Sequence, residues 1–138
     1  MRPAPLLTED NAFFWEASTA HRLVAQRCAE CGRFRHPPRP MCPECNSLTV
    51  EIVELSGRGT IYSFSIIHHP PSPFFEYPVL AALVELEEGI RMVSNLTDVD
   101  PATISGTSLV GQAVEVTFVP TDGDAAVPVF RIASAANP

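Results

Sequence analysis

Four cysteines stand in two pairs, Cys28-x-x-Cys31 and Cys42-x-x-Cys45, with ten residues between the pairs. A Cys-x-x-Cys turn brings two thiolates to one point, and two such turns supply all four ligands of a closed tetrahedral zinc site. The flanking residues suit that geometry. Gly32 follows the first pair and Asn46 the second, the two residue types that best tolerate the left-handed conformation in which such a turn closes. Pro43 presets φ inside the second pair. Four reduced cysteines packed merely as small apolar groups would show neither the paired spacing nor turn formers at both ends. A rubredoxin-like iron site uses the same ligands, so zinc and iron both remain open, with structural zinc favoured because redox iron needs electron-transfer partners. Four protein ligands leave no position for water or substrate. The metal is therefore expected to hold a fold together and not to catalyse.

At 138 residues and 46% hydrophobic, the chain is long enough for one ordinary core with a small appendage. The opening MRPAPLLTEDNAFFWEAS lacks a basic segment followed by an apolar run, and no stretch approaches the length of a membrane span, so a cytoplasmic location is expected. Disulfides are rare there, which again turns the cysteines toward metal. After Pro3 and Pro5, Thr8 is predicted to cap a helix that runs to about Ser18, with Glu9 and Asp10 in its first turn. Phe13, Phe14 and Trp15 follow one another and fan over about 200° of the helix surface. One flat contact cannot bury all three. Either the helix wedges between two parts of its own chain or one side meets another protein.

Beyond Glu51 the pattern is one of strands: residues 59–69, 79–86, 90–96 and 113–119, with a weaker one at 127–133. Glu87-Glu88-Gly89 reads as the turn of a hairpin, and a long polar connection with Pro101 and Gly106 precedes the fourth strand. The expectation is a mainly β chain: an N-terminal helical segment (1–20), a four-cysteine zinc ribbon (21–50) and a five-stranded OB-type Greek-key barrel (51–138). An SH3-like barrel offers a similar strand count.

Charge bears on function. The net −7 divides into −2 over residues 1–20, +3 over 21–50 and −8 over 51–138, so the largest region repels a polyanion and speaks against nucleic acid as partner. Arg22, Arg27, Arg33, Arg35 and Arg39 crowd around the cysteine turns, as forked donors for a partner's carboxylates or a coenzyme's phosphates, or as a solvated basic face. His21, His36, His68 and His69 fall in no nucleophile or metalloprotease motif, although His68 and His69 precede the loop PPSPFFEYP, where an imidazole could line a ligand mouth. Ser56-Gly57-Arg58-Gly59 enters a strand and not a helix, which fits a turn or bulge better than a phosphate loop. No base, nucleophile and oxyanion site come together, so the chain is read as non-catalytic by itself. The residues expected to touch a partner or ligand are Phe14, Trp15, Arg33, Arg35 and His68.

Taken in order, RLVAQRCAECGRFRHPPRPMCPEC, SGRGTIYSFSII, VLAALVELEEGIRMVSNL, GQAVEVTFV and PVFRIA closely resemble a family that couples a rubredoxin-like zinc ribbon to an OB-fold. The family has long been catalogued as a domain of unknown function, and the resemblance covers nearly the whole chain. Its members accompany thiolase-like enzymes that act on acyl-CoA thioesters, some with hydratase and aldolase components of steroid side-chain degradation and others in acyltransferase complexes. The resemblance implies Cys28, Cys31, Cys42 and Cys45 as the family's four metal ligands, and no catalytic residue. It further implies a hetero-oligomer with a thiolase-like mate, with acyl-CoA as a possible ligand of the complex and retro-aldol carbon-carbon cleavage as the supported reaction. The competing readings are a nucleic-acid-binding module and a freestanding acyl-CoA-binding protein; neither nucleic acid nor a membrane is expected as partner.

Overall fold

The computed structural model describes residues 2–103 and 109–133. Helix α1 (Ala12–Thr19) begins later than Thr8 alone suggests. The Thr8 amide donates to Asn11 Oδ1 at 2.8 Å and the Asn11 amide to Thr8 Oγ1 at 3.3 Å, a reciprocal pair that closes a turn ahead of the helix. Asn11 then takes the N-cap position, and Glu9 and Asp10 lie in that preceding turn instead of the first helical one. The helix ends on His21 at φ 61°, with the Arg22 amide reaching back to Ala17 O and the His21 amide to Ser18 O. Those two bonds make a Schellman stop with histidine in the left-handed position usually taken by glycine.

Strands β1 (Val24–Cys28), β2 (Phe34–Arg35) and β3 (Val50–Glu54) form an antiparallel ribbon sheet with β1 in the middle. Leu55–Gly57 then lead into the second sheet. It contains β4 (Arg58–Ile67), β5 (Val79–Leu86), β6 (Arg91–Asn95), β7 (Ala113–Pro120) and β8 (Ala126–Ile132), in the order β6-β5-β4-β7-β8. All five expected strands are present to within two residues at their ends. A parallel bridge between Leu96 and Phe130, with the Thr97 amide on Phe130 O at 3.0 Å, joins the outer strands and nearly closes the barrel. Antiparallel neighbours closed by one parallel contact give OB connectivity rather than an SH3-like one. Of the long connection before β7, Pro101 sits in a short 3₁₀ turn, and Gly106 lies outside the described residues.

Local chemistry explains the closure. Along β5, Leu80, Ala82, Val84 and Leu86 point inward in strict alternation. The register of β4 shifts between Ile61 and Ser63, so this long strand can pair with β7 at its start and with β5 along its length. Gly57, at φ +80°, turns the chain into β4, and a Cβ on Gly59 would lie 2.4 Å from Glu85 O, so only glycine permits that close approach. Gly89, at φ +95°, closes the β5–β6 hairpin as expected. Phe14, Leu23, Ala25 and Leu55, from the helix and ribbon, join Ile61, Val84, Val114 and Phe130 of the barrel in a single buried cluster. The N-terminal arm lies along the barrel, where Arg2 O accepts from the Asp122 amide and the Ala4 amide donates to Asp122 Oδ1. Among the described residues no helix is long and apolar enough to cross a membrane.

Candidate functional site

The four thiol sulfurs lie within 4.8 Å of one another. Cys28 Sγ is 3.5 Å from Cys45 Sγ, and Cys31 Sγ is 3.7 Å from Cys42 Sγ. Sulfurs about 2.3 Å from a central zinc would be about 3.8 Å apart, so the cluster has the size of a tetrahedral thiolate site and is far too open for disulfides. Each pair is held by the same local fold. The Gly32 amide donates to Cys28 O and the Asn46 amide to Cys42 O, both at 2.9 Å, and Gly32 and Asn46 take φ of +77° and +63°. These are the two residues and the conformation that the sequence indicated. Cys28 and Cys42 are buried, while Cys31 and Cys45 reach the surface.

The electrostatics of the cluster favour a cation. The Cys31 amide, 3.5 Å from Cys28 Sγ, is the main cause that lowers the Cys28 thiol to about 6, against the opposing effect of burial. Amides of Cys45 and Glu44 lower Cys42 in the same way. Cys45 gains from the Ser47 amide, yet the sulfurs of Cys28, Cys31 and Cys42 together with burial push it up to about 12. Four thiolates cannot share this volume unaided, and a divalent cation at their centre relieves the repulsion.

The residues expected to meet a partner are dispersed. Phe14 is 7% exposed and belongs to the core, edge-on to Trp15 at 5.0 Å and tilted against His36 at 5.6 Å. Trp15 is half-buried and lines an apolar groove of about 580 Å³. Ribbon residues His36, Pro37 and Pro38 form one wall of that groove; β6 residues Met92 and Val93 and the start of β8 form the other. Arg33 is exposed and pairs with Glu44 at 3.6 Å, while His68 is exposed beyond the end of β4. Arg22 and Arg27 pair likewise with Glu54 and Glu51, so much of the basic cluster is balanced by its own acids. Arg35 is buried, its Nε donating to Gln26 Oε1 and Arg39 O.

Residues 15–51 match the family model described as ChsH2, rubredoxin-like zinc ribbon domain, and residues 52–119 match ChsH2, C-terminal OB-fold domain. A DUF35 domain-containing scaffold protein of Methanothermobacter thermautotrophicus is 35% identical over 82% of the chain and 84% of its own length. The chain belongs to the DUF35 family. Longer relatives carry the same unit. The probable enoyl-CoA hydratase alpha subunit of Thermomonospora curvata is 46% identical over 95% of this DUF35 chain and 40% of its own length. The 3-oxo-4,17-pregnadiene-20-carboxyl-CoA hydratase alpha subunit of Mycobacterium tuberculosis is 42% identical over 86% and 36% respectively. The chain thus spans about two fifths of the length of these relatives. A solved structure described as the Ltp2-ChsH2(DUF35) aldolase superposes with a TM-score of 0.84 at 45% identity, covering 94% of this chain and 98% of that one.

Sequence reasoning missed the groove and the burial of Arg35 in this DUF35 chain. The groove's walls come from Trp15, Pro38, Met92 and Pro128, which no local motif connects. One signal for Arg35 was within reach: it lies across from Gln26 in the β1–β2 register, and a polar pair facing inward on a buried ribbon predicts mutual hydrogen bonding.

Proposed function

We propose that this chain is a non-catalytic accessory subunit of a thiolase-like, acyl-CoA-processing enzyme, and that it supports retro-aldol carbon-carbon cleavage of an acyl-CoA such as a steroid side-chain thioester. The observation that carries this reading is the match, over 98% of its length, to a chain of the structure named as the Ltp2-ChsH2(DUF35) aldolase. Relatives of similar length named as DUF35 domain-containing scaffold proteins fit a subunit whose mate holds the chemistry. Cys28, Cys31, Cys42 and Cys45 hold one zinc ion, and the ion cross-links the two turns of the ribbon and does nothing else.

The helix and groove present the docking face. Trp15 supplies an aromatic anchor, and Val93, 74% exposed, lines the same groove from β6. Arg33 and His68 act as outer contacts, and Phe14 and Arg35 shape the face from beneath. The test is reconstitution. Acyl-CoA turnover is measured for the mate alone, for this chain alone and for both, together with their affinity. Turnover should appear or rise only with both present. Turnover by this chain alone refutes the accessory role, and tight acyl-CoA binding by the isolated chain favours the freestanding carrier.

A further inference from the structure

Two buried groups of opposite charge are left over where the ribbon meets the barrel. The Arg35 guanidinium, in a residue only 6% exposed, is pinned at Nε by Gln26 Oε1 (2.9 Å) and Arg39 O (3.1 Å), while both terminal nitrogens are buried and without a partner. Gln26 Oε1 also accepts from the Arg39 amide at 2.8 Å, which fixes the direction in which the fork projects. On the barrel side, Glu88 in the β5–β6 hairpin accepts from the Ser56 amide through Oε2 at 2.8 Å, and its Oε1 is buried and unpartnered. Arg35 and Glu88 line the same cleft. Its other ionic side chains include Arg33 and Arg91, already paired with Glu44 at 3.6 Å and Glu85 at 3.2 Å, and Arg39, which is exposed.

We propose that Arg35 and Glu88 close on each other as an ion pair across this cleft, a latch that sets the angle between ribbon and barrel. Two nitrogens of Arg35 and one oxygen of Glu88 are thus buried polar atoms left without a hydrogen bond, a costly state, and each set is the other's complement. The guanidinium is planar and its Nε keeps both bonds, so the fork stays where it is aimed and closure is a movement of the Glu88 side chain and its hairpin toward it. The latch reaches the docking groove from both sides. Arg35 adjoins His36 on the ribbon wall, and Glu88 lies four residues before Met92 on the β6 wall. Arg35 and Glu88 are thus positioning residues for the groove, a consequence that rests on the accessory reading, whereas the latch itself does not.

A double-mutant cycle on the isolated, metal-loaded chain tests it, with Arg35→Met, Glu88→Gln and the two combined. Glutamine can still accept from Ser56, and methionine keeps most of the arginine's volume, so the cycle isolates the pairing. Each single change should weaken the folding equilibrium at least about tenfold, and the combined change should weaken it no more than the worse single change. Losses that simply add would overturn the proposal. A second readout holds even where Arg35→Met does not fold: the terminal guanidinium protons of Arg35 should be protected from solvent exchange in the unaltered chain and lose that protection in Glu88→Gln. Exchange as free as that of the exposed Arg33 in the unaltered chain would equally overturn it. Neither measurement involves a partner, so a failed reconstitution and a failed latch are separate results.

Discussion

Cys42 is buried at the back of the ribbon and its amide donates to Ser47 O at 2.9 Å, so its sulfur has no freedom to be replaced by another donor. A serine there offers a poor zinc ligand. Cys42→Ser should drop metal well below one equivalent and remove much of a binding free energy on the order of 10 kcal/mol that otherwise stabilises the ribbon. Elemental analysis and thermal melting check both. His36 offers a test of a different kind, since burial beside Phe14 lowers its pKa below the usual 6.5. The unfolded imidazole then binds its proton more readily than the folded one. Stability from this site is complete above about pH 6.5 and is lost as pH falls through the interval down to the folded value. Melting temperatures between about pH 7.5 and 5.5, with zinc in excess, should fall more for the unaltered chain than for His36→Phe.

Helix α1 sits against β8 and β1, with Phe14 directed into the shared core and Trp15 lining the groove. If the proposed thiolase-like mate docks on this face, Trp15→Ala should weaken its association by at least about 2 kcal/mol while the ribbon stays folded and keeps the proposed zinc. Titration calorimetry with each form of the chain, alongside its melting curve, separates the two effects. A variant that is destabilised yet binds normally would assign Trp15 to the chain's own packing. The strands were readable because their signals are local: period-two alternation over 79–86 and turn formers at Glu87–Gly89 name β5 and its hairpin directly. The cysteine turns were readable for the same reason. The helix start was not, since Thr8 and Asn11 are both good caps and only their mutual hydrogen bonds decide which one serves. Closure of the barrel through Leu96 and Phe130 depends on residues far apart in the chain, and so does the fate of the aromatic trio, whose burial is set by what packs on either side of the helix.

At the scale of the whole molecule, residues 21–50 carry +3 and residues 51–138 carry −8, and Arg22, Arg27 and Arg33 each sit against an acid, two of them Glu54 and Glu51 of the ribbon's own β3. A polyanion approaching this surface gains little from the arginines and is repelled by the rest. No affinity tighter than micromolar for single- or double-stranded oligonucleotides is expected near physiological salt, with fluorescence anisotropy as the measurement. The groove has a thermodynamic consequence of its own, because His36, Pro37 and Pro38 hang from the ribbon while Met92 and Val93 belong to the barrel. With zinc held as proposed, a mate seated there distinguishes loaded from empty chains. Reciprocity then requires the mate to tighten the chain's grip on its ion by the same factor. On that reading assembly would be an inspection step: stripped chains would be passed over, and a chelator would empty free subunits at a lower concentration than those already engaged.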